Sequence, residues 1–175
     1  TRQGDNISLF AYNNQFRELL PPGHRTGQLN RLLQALYRLN PEGSAAHHQF
    51  LPTLAETCHR GIVVFLSDML EGENQLPGLL NHFRMRRCDT LALQVLDPDE
   101  KDLPQPRVTR YLDAESGAEQ ITYPEAARAR YQEAFAQFES TLSQGFLKAQ
   151  IDFLQVQSSE SLGLILARYL SRRGR

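Results

Sequence analysis

Five consecutive apolar residues, Ile62-Val63-Val64-Phe65-Leu66, run directly into Ser67-Asp68. A strand that is apolar on both faces belongs in a parallel sheet with helices over it, because neither face is suited to water. Thr90 to Leu96 has the same character and closes on Asp97-Pro98-Asp99, and Asp152 to Val156 forms the last strand. Parallel neighbours require long crossovers. The intervening segments carry helical spacing: Leu76, Leu79, Leu80 and Phe83, then Tyr131, Phe135, Phe138, Leu142 and Phe146. Leu162, Ile165, Leu166, Tyr169 and Leu170 repeat that spacing in a terminal helix. Alternation of this kind predicts an α/β fold.

Upstream, Ile7 to Tyr12 and Phe16 to Leu20 read as a hairpin around Asn13-Asn14, stopped by Pro21-Pro22-Gly23. Leu29, Leu32, Leu33, Leu36 and Leu39 predict a helix with Thr26 as N-cap, ended by Asn40-Pro41. Gly43 to His48 reads as a loop, and Leu51, Leu54, Ala55 and Cys58 as a short helical stripe. Thr109 to Leu112 and Gln120 to Thr122 form a small antiparallel excursion around Ser116-Gly117. Thr122-x-x-Glu125 is a capping box opening the longest helix. The whole of residues 1–175 is of a size for one domain.

Several function classes lose support at this stage. A net charge of −1 gives no field for nucleic acid or anionic lipid. The basic groups Arg84, Arg86, Arg87 and Arg172, Arg173, Arg175 suit solvated helix ends. Cys58 and Cys88 form no C-x-x-C pair, so they read as buried free thiols of a reducing compartment, and a cytoplasmic location is expected. No apolar run reaches the roughly 20 residues of a membrane span. No signal peptide is visible; the chain opens on Thr1 and reads as a fragment or processed piece. Gly-x-Gly-x-x-Gly, the P-loop and Gly-x-Ser-x-Gly are all absent. His47-His48 and His59 lack a third ligand at helical spacing and read as solvated loop residues. Phe135 and Phe138 read as core.

The order hairpin, helix, helix, strand, helix, strand, excursion, helix, strand, helix resembles the von Willebrand factor A-like fold from its second strand onward. Gln3 to Leu9, Arg60 to Asp68, Val95 to Glu100 with Leu103-Pro104, Tyr111 to Glu119, Tyr131, Ile151-Asp152-Phe153 and Tyr169 to Arg173 are similar to one bacterial branch. That branch is the domain-of-unknown-function family fifty-eight, whose genes often neighbour MoxR-type AAA+ ATPases. The resemblance implies a doubly wound, Rossmann-like, mostly parallel sheet of strand order 3-2-1-4-5-6, with its ligand edge at the carboxyl ends of the strands. It also implies that the central first strand and its helix are missing here. The strands at Ile7 and Ile62 would then close on each other, a neighbouring chain would fill the slot, or the chain is a fragment.

Family domains commonly hold a divalent cation at that edge through Asp-x-Ser-x-Ser, a Thr and an Asp. No Asp-x-Ser-x-Ser occurs in this sequence, Ser44 falls near the Thr position, and Asp68 matches the Asp. Asp68 and Ser44 are therefore an incomplete metal remnant. No cofactor is expected for this chain, with Mg possible in the intact parent, since such a cation takes about six oxygens. Ser67-Asp68 reads equally as a cap for the following helix. The expected function is protein binding without catalysis, with a MoxR-type AAA+ ATPase as partner in assembling or activating another complex. The alternative is a metal-dependent hydrolase or phosphotransferase using Asp68, Asp97 and Asp99, with Glu100 at the same strand end and Lys101 and Ser67 nearby, against which Asp97-Pro98-Asp99 reads as a turn.

Overall fold

A computed structural model describes residues 5–24, 26–40, 43–72, 74–101, 109–112, 119–122 and 124–173. Pro41, Leu103-Pro104, Ser116-Gly117 and the side chains of the Thr122 and Glu125 capping pair lie outside the described residues. The chain forms two compact units, one built on residues up to Ala46 and the other from His47 onward.

The first unit holds the hairpin β1 (Ile7–Tyr12) and β2 (Phe16–Gly23) and the helix α1 (Gln28–Tyr37). Asn13 shapes the turn, its Oδ1 accepting from the Gln15 amide at 2.8 Å. β2 runs past the expected stop at Pro21-Pro22 and places Gly23 opposite Ile7. Prolines lack an amide, so they are tolerated at edges and irregularities, and the register slips twice on either side of Leu9. Buried Gln28 ties this end together: its Nε2 donates to the carbonyls of Ile7 (2.9 Å) and Pro21 (3.1 Å). The N-cap residue of α1 is Gly27, which sits at φ 92° and gives no side-chain cap, so Thr26 is not the N-cap. Glycine adopts that backbone without a Cβ penalty.

The second unit contains α2 (His47–Thr57), β3 (Gly61–Ser67), α3 (Leu76–Met85), β4 (Cys88–Leu96), α4 (Pro98–Lys101), β5 (Thr109–Leu112), β6 (Glu119–Thr122), α5 (Pro124–Ala149), β7 (Asp152–Gln157) and α6 (Leu162–Arg173). β3, β4 and β7 form a parallel sheet in the order β3-β4-β7. β5 and β6 make the expected antiparallel excursion, with Thr109 opposite Thr122. The structure is thus mixed α/β with a parallel core sheet.

Because parallel partners point to the same side, register defines the two faces of the sheet. Val63, Phe65, Thr90, Ala92, Gln94, Phe153 and Gln155 share one face. Phe146 of α5 is fully buried and stacks on Phe153 with centroids 4.7 Å apart, while His47 of α2 meets Phe65 edge-on at 5.7 Å. The opposite face is covered only in part. Leu91, Leu154 and Val156 are buried, yet Ile62, Val64 and Leu66 are 66%, 50% and 61% exposed. This corrects the expectation that β3 is buried on both faces. β3 pairs only with β4 among the described residues, and β1 pairs only with β2. β3 is left as a seven-residue edge free of proline and charge, the kind that recruits another strand.

Truncating Phe146 to Ala should cost about 3–5 kcal/mol, whereas Leu66→Ala on the uncovered face should cost under about 1 kcal/mol. Urea denaturation of both variants measures this. Equal losses would mean that the far face of β3 is covered in solution.

Candidate functional site

Parallel register brings the carboxyl ends of β3, β4 and β7 to one edge, where the chain turns at Ser67-Asp68, Asp97 and Ser158. After β3, Ser67 Oγ accepts from the Met69 amide at 2.9 Å and Asp68 Oδ1 from the Leu70 amide at 3.2 Å. These are tight local turns in which the side chain takes over a backbone role. They do not cap α3, which begins at Leu76 with Gln75 as its N-cap residue. Met69 is fully buried at φ 64°, a left-handed conformation that costs a bulky residue energy and is held in place by its packing.

Asp97 performs the same office after β4. Its Oδ1 accepts from the Asp99 amide at 3.0 Å, and its Oδ2 accepts from Ser158 Oγ at 3.4 Å, which links the β4 and β7 ends. Behind this rim lies Gln94, wholly buried in β4. Gln94 Nε2 donates to the Asp68 carbonyl at 3.0 Å, and Gln94 Oε1 accepts from Gln155 Nε2 at 3.0 Å. Gln155 Nε2 also donates to Glu139 Oε1 on α5 at 3.0 Å. One buried amide therefore fixes the Asp68 turn, β7 and α5 relative to one another.

Two further titratable groups sit at this edge. His47, expected on a solvated loop, instead opens α2 and is buried against Phe65. Burial lowers its pKa, opposed by the nearby charges of Glu71 and Asp68. Glu100, on the short α4, has its pKa raised, chiefly by burial. A hydrogen bond with the Asp97 backbone opposes that shift, and the charges of Asp68 and Asp97 add to it. The main-chain carbonyl of Glu100 accepts from the Tyr131 hydroxyl, which anchors α4 to α5.

Of the residues proposed from sequence, Asp68 and Asp97 share this edge, and Asp99 contributes its amide to the Asp97 turn. Lys101 forms an ion pair with Glu139 at 3.6 Å. Ser44 is exposed and belongs to the first unit, so it is described apart from Asp68. Among the described residues no three His, Cys, Asp or Glu side chains are grouped to hold a metal ion. With Oδ1 of both Asp68 and Asp97 already accepting from turn amides, this donor set does not fit the roughly six oxygens of a hard divalent cation. Glu100 was legible from sequence as an acidic neighbour of Asp97 and Asp99, whereas His47 and Gln94 were not legible as site residues, although a lone glutamine inside Leu91 to Leu96 was the available signal for Gln94.

A family model described as "Protein of unknown function DUF58" matches residues 1–141. The chain belongs to that family. This DUF58 domain is similar in fold to BatB, a conserved hypothetical protein from Bacteroides thetaiotaomicron: TM-score 0.55, 10% identity, covering 97% of this chain and 79% of that one. It is similar to the same degree, TM-score 0.55 at 11% identity, to an aerotolerance-related membrane protein from Bacteroides fragilis NCTC 9343 carrying multiple mutations to serine. That match covers 95% of this chain and 79% of the other. No curated protein matches the sequence. No helix among the described residues of this DUF58 domain is long and apolar enough to cross a membrane.

Replacing Gln94 with Leu keeps the volume but leaves the Asp68 carbonyl and Gln155 without this partner. The expected loss is about 1–3 kcal/mol, read by chemical denaturation, and no loss would show the network to be dispensable. Glu100 gives a pH signature. Its folded pKa lies above the ordinary glutamate value of 4.5, so the folded state binds the extra proton between those two values. Stability therefore falls as pH rises through that window and is greatest below it. Glu100→Gln should remove that slope and raise the melting temperature at neutral pH; an unchanged pH profile would count against a desolvated carboxyl.

Proposed function

We propose that this chain is a protein-binding domain of von Willebrand factor A type, acting with a MoxR-type AAA+ ATPase in the assembly or activation of another complex. The observation that carries this reading is the acidic edge at the strand carboxyl ends, where Asp68 and Asp97 stand beside Glu100 on turns fixed by Gln94 and Ser158. In open α/β sheets this is the edge that takes ligands. Its acidic groups sit on short, hydrogen-bonded turns, which suits recognition of a partner surface by charge and shape. The free thiols Cys58 and Cys88 suit a reducing compartment, and we assign the domain to the cytoplasm. No observation here favours the alternative of a metal-dependent hydrolase or phosphotransferase.

The test is a binding titration of the chain against a MoxR-type AAA+ ATPase. Asp68→Ala with Asp97→Ala should weaken binding by about tenfold or more, while circular dichroism stays unchanged. Absence of binding above a charge-matched control protein would refute this partner.

A further inference from the structure

The aromatic stripe of α5 divides into two halves. Leu142 and Phe146 are fully buried, but Tyr131, Phe135 and Phe138 are only half-buried. These three line a cleft of about 270 Å³ with Leu70, Glu100 and Ala134. Tyr131 and Phe135 stack at 6.0 Å and 19°, and Phe138 follows at 6.0 Å from Phe135, so the wall is a row of ring systems. The sequence expectation that Phe135 and Phe138 are core is thus corrected. Leu70, 57% exposed, forms the lip beside Asp68.

The cleft also contains a polar group without a match. Glu100 Oε2 is buried, with no hydrogen-bond partner among the described residues. Burying a carboxylate oxygen is costly unless something pairs with it. The nearby charges are also negative, from Asp68 and Asp97, and the neighbouring Lys101 is held by Glu139 at 3.6 Å. A cation is the complement to this arrangement. Aromatic faces favour cations electrostatically, and their apolar area favours a hydrocarbon stem. The volume is below that of a pocket for a drug-sized ligand and suits a single side chain.

We propose that this cleft is the specificity pocket of the acidic edge and receives an alkylammonium group, a lysine side chain of the partner protein, with Glu100 as its counter-ion and Tyr131, Phe135 and Phe138 as its wall. The proposal rests on the protein-binding reading and specifies which residue type on the partner is read. Loss of the ATPase interaction would refute that partner and leave the pocket chemistry standing, whereas the experiment below tests the pocket alone.

The probe is n-butylammonium, titrated at constant ionic strength into the isotopically labelled chain and followed by backbone amide shifts. Saturable shifts are expected at Leu70, Glu100 and Tyr131. Uncharged n-butanol, of nearly the same shape, should bind about tenfold more weakly, the scale of a desolvated cation–aromatic and charge contact. Glu100→Gln should abolish the difference between the two probes. Phe135→Leu keeps an apolar wall without the ring and should reduce the difference, so it serves should the first variant not fold. Equal binding of the two probes to the unmodified chain, shifts that do not saturate, or an ammonium preference that survives both substitutions would overturn the proposal.

Discussion

The buried amide of Gln94 is the contact on which the rest of the second unit depends. A glutamine with no exposure in the middle strand of a parallel sheet is stable only when both ends of its amide are matched. Here the donor end holds the Asp68 carbonyl and the acceptor end takes Gln155, which in turn reaches Glu139. Dispersion and hydrophobic burial, centred on Phe146 against Phe153, hold α5 to the sheet without fixing its position along the strands. The polar chain supplies that register. It therefore sets where the Asp68 turn stands relative to α5, and so where the cleft lined by Leu70, Glu100 and Tyr131 opens.

The other face of the same sheet is only partly covered. β3 has an apolar sequence on both faces but cover on one, and one of its two edges carries no strand among the described residues. Its parallel neighbour gives it the strand direction and register of an interior strand, while its surroundings give it the exposure of an edge. Ile62, Val64 and Leu66 bring apolar area to water that folded domains ordinarily cover. The two faces thus serve different ends. The covered face builds the carboxyl-end rim, and the uncovered face presents an apolar strip with no charge to protect it.

How much of this was legible in the sequence follows from what each signal measures. Strand runs and helical spacing located β3, α3, β4, β7 and α6 because periodicity reports which side chains avoid water. Periodicity does not report whether the protecting layer is present, so β3 was read as buried on both faces. Local turn signals placed Ser67-Asp68 and Asp97-Pro98-Asp99 correctly at strand ends, but they could not separate a helix cap from a turn that closes on its own amides. His47 was misread because a histidine pair before an apolar stripe looks solvated, and only the packing of α2 brings it against Phe65. Glu100 was readable as an acidic residue at a strand end, but its burial was hidden for a related reason. Its burial arises from α5, which lies more than twenty residues further along the chain.

In the proposed function, the carboxyl-end edge of the sheet is the recognition surface of this DUF58 domain. Hydrogen exchange by mass spectrometry, with and without a saturating MoxR-type ATPase, tests it most directly, because amides at the two ends of each strand report separately. Slowed exchange is expected in residues 67–71 and 97–101, with the amino-end turns at residues 58–61 and 86–88 unchanged. Protection confined to those amino-end turns, or exchange unaltered throughout by the bound ATPase, would contradict it.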